Sequence, residues 1–411
     1  MSSPLSSARG PASPGTGRRR LLGVAAAVVV LAALALVLWP EGDGDPVQRR
    51  AATTAVERLA RQLDARPGPR ASAMCRAVGP ATRRRLASLA PFDAQPGRGC
   101  AALPRRVIRI TLEPLAGTAD RALDASVDGD EAVVRLADGP EVSRATRRAG
   151  GRWIADPAAG GVGAWRLETA RRCSAALTRA RLAPLSLDAD AYRTAVATRL
   201  QGVSAVLEML QRDAAPEALR DAVAQPRAQL AELRDGLRRG LLAVDGGNLT
   251  RDAPSTAELP SLLQLLESFP ALRDLGVPCL GGPAVPPSVI TQGNAACEAV
   301  RPAIESAYRD AGRATSNLAV GAAFDQLAGA WSGFSQSIGA LPLSAAPRLR
   351  PVRGDAVRSS RRAGQLAAQL ATAARTNADD TPIAQRLDLA QQTMQDALMA
   401  LGLRNCGAIG V

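Results

Sequence analysis

The sequence predicts one N-terminal transmembrane helix, then an α+β domain with an antiparallel sheet, then two mainly α-helical four-helix bundles in tandem. An unbroken apolar run near the N-terminus, a stretch with apolar residues at every second position, and helical spacing over the remaining chain lead to this prediction. A chain of 411 residues has room for these domains. The predicted boundaries are 1–20 for a cytoplasmic tail, 21–39 for the membrane helix, 47–158 for the α+β domain, and 164–282 and 294–411 for the two helical repeats.

The membrane helix is predicted from Leu21–Leu38, which contains only apolar residues and glycine. At ~1.5 Å per residue this run is ~27 Å long, close to the hydrocarbon thickness of a bilayer. Four arginines precede it, Trp39 ends it, and the acidic stretch 41–45 follows. This charge order predicts a cytoplasmic N-terminus and an extracytoplasmic bulk of the chain. A cleaved signal peptide is the alternative, with Ala33-Leu34-Ala35 as a cleavage-like sequence inside the run.

In the α+β domain, helices are predicted first and strands afterwards. The helices are Val47–Ala65, Arg70–Val78 and Ala81–Leu89, and the strands are Arg106–Leu112, Ala122–Val127, Glu131–Leu136, Glu141–Arg148 and Arg152–Ala155. Asp128-Gly129-Asp130 and Gly150-Gly151 are typical of hairpin turns between strands. This order of elements is typical of an α+β fold.

The stretches CRAVGPATRRRLASL, GCAALPRR, DASVDGDEAVVRL and GGRWIADP resemble small NTF2-like domains of actinobacterial lipoproteins and membrane-anchored proteins. The resemblance covers about 110 residues and implies a cone-shaped fold with a disulfide between Cys75 and Cys100. In some members of this superfamily the cone holds a small ligand or an active site. Mce-associated membrane proteins share the layout of an anchor followed by a cone, which makes carriage of an apolar ligand or lipid near Ile108, Ile110 and Leu112 the first alternative function.

Beyond residue 163, the apolar spacing is helical throughout. Helices are predicted at 164–182, 188–212, 215–243 and 258–276, and after a Pro/Gly-rich stretch at 295–313, 315–340, 354–376 and 381–402. Each group of four has a cysteine in its first helix and a Leu-Gly-apolar sequence before a second cysteine. Ala-Ala-Pro recurs at 214–216 and 345–347. These matches predict an internal duplication.

The six cysteines follow the predicted anchor and form an even set, which favours disulfides in an oxidising compartment. In an up-down-up-down bundle, the start of the first helix and the end of the fourth lie at the same pole. This geometry predicts Cys173–Cys279 and Cys297–Cys406. The Leu-Gly-Leu-x-x-Cys ending also resembles helical secreted domains of unknown function in actinobacteria.

The composition excludes several kinds of catalytic site. All 51 cationic residues are arginine, and the chain has no histidine. A Ser-His-Asp relay, a His-ligated metal and a lysine Schiff base are therefore impossible. No enzyme, cofactor or metal site is predicted; an acid-only isomerase or hydrolase is the second alternative, with Asp93 and Asp124 as candidate carboxylates.

The net charge of +13 does not by itself indicate a nucleic-acid surface, because no block of five like charges occurs. A GC-rich genome explains the arginine bias, with a functional basic surface as the alternative. The sequence favours a membrane-anchored, non-enzymatic scaffold or protein-binding module whose partner is another cell-envelope protein, since duplicated helical units supply binding area.

Overall fold

The computed structural model describes residues 45–65, 70–90, 99–112, 115–137, 139–212, 214–245, 262–281 and 285–406. This part of the chain is mostly helical, with a small four-stranded antiparallel sheet, so the α+β prediction is confirmed at this level. Within it, no helix is both long enough and apolar enough to cross a membrane. The predicted span Leu21–Leu38 and the candidate Asp93 lie outside these residues.

The described residues of the first part form four α-helices and four strands. They are α1 (Pro46–Asp64), α2 (Ala71–Ala77), α3 (Pro80–Ala87), α4 (Arg105–Leu112), β1 (Leu123–Asp128), β2 (Glu131–Leu136), β3 (Glu141–Arg147) and β4 (Trp153–Ala155). The strands form an antiparallel sheet in the order β1-β2-β3-β4. The predicted glycine turns are confirmed: Gly129 joins β1 to β2 with a φ of 56°, and Gly150 and Gly151 join β3 to β4 with φ values of 96° and 80°. Glycine adopts these positive angles without the steric penalty of a Cβ.

The predicted strand Arg106–Leu112 is wrong, because this segment is the helix α4. Ile108, Ile110 and Leu112 fit a period of two, and the segment is rich in β-branched residues. However, Val107, Ile108, Thr111 and Leu112 are the buried residues, and the spacing i, i+1, i+4, i+5 is that of one helix face. The apolar strand on which the ligand-carrier alternative depended is therefore absent from this segment.

Helix α1 contacts all four strands and covers one face of the sheet. Its buried residues Val56 and Leu59 share a core with Val134 of β2 and Ala145 of β3. Side chains of α1 thus occupy this face of the sheet in the described part of the domain.

A buried carboxylate connects the end of β4 to the start of α3. Asp156 accepts hydrogen bonds from the backbone N–H groups of Ala81 and Thr82, at 3.1 and 2.7 Å, and its side chain is fully buried. Thr82 Oγ1 in turn accepts from Ala158 N at 2.8 Å. The carboxylate satisfies N–H groups that have no partner within the first turn of a helix.

The second part consists of helices joined by loops, with no strand in its described residues. Its α-helices are α5 (Gly161–Leu182), α6 (Ala189–Met209), α7 (Ala224–Asp245), α8 (Leu262–Ser268), α9 (Pro270–Asp274), α10 (Pro287–Arg313), α11 (Asn317–Gly339), α12 (Arg350–Thr376) and α13 (Thr381–Ala400). The first half comprises α5 to α9 and the second α10 to α13. The predicted helix 215–243 is instead a 3₁₀ turn at Glu217–Leu219 followed by α7, and the described part of the predicted helix 258–276 is divided at Pro270, which cannot donate a backbone hydrogen bond.

The two halves share local details in the same order. Asp188 and Ser316 each accept a hydrogen bond at the start of the second helix of their half. A 3₁₀ turn precedes the third helix in both, and both end in the same glycine motif, in which Val277 N donates to Leu272 O and Leu403 N donates to Leu398 O, each at 3.0 Å. This correspondence is what the duplication hypothesis expects.

The second half of α13 is buried on every side. Residues 389–400 are all buried except Gln395, which is partly buried. The helix contacts α12 of its own half and α5 and α8 of the first half. The halves therefore share a continuous core, and α3 and α4 of the first part contact α5 as well.

Three disulfides close these units. The structure joins Cys75 to Cys100, Cys173 to Cys279 and Cys297 to Cys406, with Cα–Cα distances of 5.9, 5.5 and 5.3 Å. These are the pairs that the family resemblance implies for the first and that bundle geometry predicts for the other two.

Candidate functional site

A groove lies between α1 and the β3–β4 hairpin in the described structure, and we call it the arginine groove. Its volume is about 410 Å³, within the ~300–1,000 Å³ usual for ligand sites. Arg50 and Arg58 of α1 and Arg152 of the hairpin are its charged lining residues, and Ala51, Ala55 and Trp153 are among its apolar ones.

The arrangement follows from helix and hairpin geometry. Residues 47, 50, 51, 54, 55 and 58 lie on one face of α1, because each is three or four positions from another. The two glycines of the hairpin turn bring Arg152 and Trp153 beside that face. Trp153 is only 4% exposed, and its Nε1 donates to Gln48 Oε1 at 2.8 Å, which fixes β4 against the first turns of α1.

A smaller cleft of about 160 Å³ continues from the arginine groove and shares Arg58, Arg152 and Trp153 with it. Arg76 of α2 and Arg148 of the β3–β4 hairpin also line this cleft. Five exposed arginines from three segments of the chain, α1, α2 and the β3–β4 hairpin, therefore surround the two adjoining depressions.

These five arginines lack acidic partners among the described residues. None of them forms a salt bridge or a side-chain hydrogen bond there, and the lining of both depressions includes no Asp or Glu. Arginines nearby are paired: Arg61 lies 3.2 Å from Glu57, and Arg144 lies 3.2 Å from Glu141. The groove thus carries uncompensated positive charge, and guanidinium groups are suited to bidentate binding of phosphate or carboxylate.

A second cluster of charged residues lies deep between the two helical halves. Asp396 of α13 accepts from Arg199 Nη2 at 2.5 Å, from Leu185 N at 2.8 Å and from Leu262 N at 2.6 Å. Tyr192 is fully buried next to this pair, and burial raises the pKa of its hydroxyl. The side chains of Arg199 and Asp396 are 1% and 0% exposed, so this cluster holds the halves together and is closed to solvent.

The remaining candidate residues do not assemble into a catalytic site. Asp124 is exposed on β1, and its Oδ1 accepts from Ala125 N at 2.8 Å, while its proposed companion Asp93 falls in the undescribed range 91–98. The six candidate cysteines are all in disulfides. Across the described ranges, no group of three or more His, Cys, Asp or Glu side chains is placed to hold a metal ion.

Sequence reasoning missed both clusters. The groove arginines are scattered from residue 50 to residue 152 and form no run of charge, so only the fold brings them together. A signal for the buried pair does exist: Asp396 lies within the sequence TMQDALMALGL, where both helix faces are largely apolar. Its partner Arg199 is 197 residues away and could not be identified from local pattern.

Comparisons with protein-family models, with curated proteins and with solved structures give no match to this chain.

Proposed function

We propose that this protein is a membrane-anchored, extracytoplasmic and non-enzymatic scaffold of the cell envelope, which binds another envelope protein through its helical part. The observation that carries the proposal is the buried contact of α13 with both helical halves, centred on Asp396. A fixed relative position of two helical units presents one preorganised surface. Preorganisation lowers the entropic cost of binding a partner.

The disulfides support the extracytoplasmic part of the proposal. All six cysteines are paired, and such bonds persist mainly in oxidising compartments. The predicted membrane helix would hold the domains outside the cytoplasm, a few residues before α1 begins at Pro46. Each helical half is closed by its own bridge over 106 or 109 residues, which stiffens the scaffold further.

An NTF2-like ancestry of the first part belongs to the same proposal. The four-stranded meander, the helix α1 across it and the Cys75–Cys100 bridge support it. Because α1 covers one face of the sheet, we assign this domain a structural role: it positions the helical part beside the membrane.

The experiment is site-specific photo-cross-linking of the full chain in intact cells. A photoreactive residue replaces Leu318 or Leu242, which are 71% and 70% exposed and lie on different halves. The control places the same residue at Arg106, which is exposed on α4 in the first part. One envelope protein that cross-links reproducibly from a helical position, and not from Arg106, is the expected result.

Cross-links only between copies of the chain, or a different set of neighbours in each repeat of the experiment, would contradict the scaffold proposal. Equal capture of the same protein from all three positions would also contradict it, because that protein would then be recognised without the helical surface.

A further inference from the structure

We propose that the arginine groove binds the headgroup of an anionic phospholipid in the membrane to which the chain is anchored. This inference uses the predicted anchor for its location but needs no protein partner. It assigns a ligand class to a site on the first part of the chain, apart from the helical surface of the proposed scaffold.

Charge is the first argument. Arg50, Arg58 and Arg152 line the groove, and Arg76 and Arg148 line the cleft that continues from it. None of these guanidinium groups has an acidic partner in the described structure, although salt bridges form close by. An anion can therefore bind to these arginines without first breaking a salt bridge within the protein. A phosphodiester offers the oxygen geometry that guanidinium groups recognise.

The apolar side of the groove is the second argument. Ala51, Ala55 and Trp153 lie between the arginines, and Val47 lines the groove at the N-terminal end of α1. Val47 is 69% exposed, and the other large apolar side chains that are exposed in the described structure, Leu182, Leu242 and Leu318, all lie on the helical part. A phospholipid presents a charged phosphate joined to apolar glycerol ester and acyl groups, and this combination matches arginines beside an apolar strip.

Position is the third argument. Val47 follows Trp39, the predicted end of the membrane helix, by only eight residues. A fully extended connection of that length reaches at most roughly 29 Å, so the N-terminal end of α1 is tethered within that distance of the membrane and can come close enough to contact its surface. Charges attract an anionic surface strongly only within about one Debye length, ~8–10 Å. The groove begins at the end of α1 that the anchor holds nearest to that surface. These facts favour a lipid over an acidic protein segment, which would need neither the apolar strip nor this location.

The test uses the full chain purified in a neutral detergent. Isothermal titration calorimetry measures its affinity for short-chain phosphatidylglycerol. Phosphatidylcholine with the same acyl chains tests the need for net negative charge, and glycerol phosphate tests whether the anionic group alone is sufficient. A polyglutamate peptide represents an acidic protein segment. We expect phosphatidylglycerol to bind most tightly of the four and to lose affinity as salt is added.

The variant Arg58→Gln/Arg152→Gln removes the two arginines that both depressions share. Each arginine near an anionic lipid contributes about a fivefold factor in affinity, so the variant should bind roughly 30-fold more weakly. Arg309→Gln/Arg361→Gln is the matched control, because both residues are exposed on the helical part and the change in net charge is the same. The control should bind like the unmodified chain. A further variant, Val47→Glu, keeps every arginine and should also weaken binding.

Equal binding of phosphatidylcholine and phosphatidylglycerol would overturn the proposal. So would glycerol phosphate or polyglutamate binding as tightly as phosphatidylglycerol, since the groove would then recognise a free anion or an acidic peptide. An equal loss of affinity in the two double variants would show that only total charge matters, and it too would overturn the assignment. Circular dichroism shows whether each variant retains its helices; all of the substituted side chains are exposed, so we expect that it does.

Discussion

Arg199 of the first helical half and Asp396 of the second form a salt bridge, with Arg199 Nη2 2.5 Å from Asp396 Oδ2 and both side chains buried. Matching the helix caps at Asp188 and Ser316 places Leu327 at the position in the second half that corresponds to Arg199. Leu327 is also fully buried. The charged pair therefore belongs to the contact between the halves rather than to the internal packing that they have in common.

Asp396→Ala should lower the free energy of unfolding by about 3–5 kcal/mol, because it leaves the buried Arg199 guanidinium without its carboxylate. It also removes the acceptor of the backbone N–H groups of Leu185 and Leu262. Urea unfolding of the full chain measures the change.

Two further variants separate this effect from a general loss of a surface charge. Asp325→Ala breaks the exposed pair with Arg375 and should cost less than about 1 kcal/mol. Arg199→Met/Asp396→Leu removes both buried charges and should recover part of the loss, since apolar side chains of similar volume pack in their place. Equal destabilisation by Asp396→Ala and Asp325→Ala would contradict a structural role for the buried pair.

The two tyrosines of the chain should respond differently to removal of their hydroxyls. The hydroxyl of Tyr192 is buried with no hydrogen-bond partner in the described structure, so Tyr192→Phe should leave stability at neutral pH unchanged or slightly higher. Tyr308 accepts a hydrogen bond from the buried Gln391, so Tyr308→Phe should cost about 1 kcal/mol. The order of the two urea midpoints tests this prediction, and a larger loss for Tyr192→Phe would contradict it.

Alkaline pH should destabilise the fold through the same tyrosines. Burial raises the pKa of Tyr192 and of Tyr308 above the ordinary value, so the folded state holds these protons more tightly than the unfolded chain. Their contribution to stability is complete below the unfolded pKa of ~10 and is lost as the pH rises from there through the folded pKa. Tyr192→Phe should therefore unfold less readily than the unmodified chain above pH ~10. Ultraviolet absorbance of tyrosinate follows the titration, and ionisation of both residues near pH ~10 in the folded chain would contradict the prediction.

Local sequence pattern was sufficient for most of the secondary structure. Turn glycines and alternating residues located β1 to β4, and helical spacing located most of the long helices. The segment 106–112 was misassigned because it satisfies both periods over a short length and is rich in β-branched residues. Its conformation is decided by tertiary contacts, which bury Val107 and Thr111 on the same side.

The candidate sites depended on contacts that no local pattern encodes. Arg58 and Arg152 come together only because α1 lies across the sheet, and Arg199 meets Asp396 only because α13 packs between the halves. Helical spacing alone does not show which charged residues are buried: Arg309 is exposed, whereas Arg199 is buried. The cysteines of the helical halves were easier to pair, since their positions relative to helix ends restrict the possible pairs, whereas the pairing of Cys75 with Cys100 rested on the family resemblance.

The glycine that ends each helical half should be sensitive to a side chain. Gly402 has a φ of 77°, where a Cβ costs about 1–2 kcal/mol, so Gly402→Ala should destabilise the chain by about that amount. Gly329 lies within α11, and an added Cβ there would meet no atom within 4 Å. Gly329→Ala is therefore the matched control and should stabilise the chain by about 0.5–1 kcal/mol. Thermal unfolding compares the two, and a shift of the same sign in both would contradict this account of the motif.

Loss of one helical disulfide should lower the stability of both halves together. Cys297→Ser/Cys406→Ser opens a loop of 109 residues, which costs about 4–5 kcal/mol in the chain-entropy model. Since α13 is packed between the halves and Asp396 binds groups of the first half, unfolding of the second half should expose part of the first half's core.

Hydrogen exchange with mass spectrometry follows peptides of α6 and α11 separately in urea. We expect both to lose protection at the same lowered urea concentration, whereas Cys75→Ser/Cys100→Ser, which opens a loop of 25 residues in the first part, should have a smaller effect on them. Continued protection of α6 after α11 has exchanged would show that the halves unfold independently and that the shared core does not couple them.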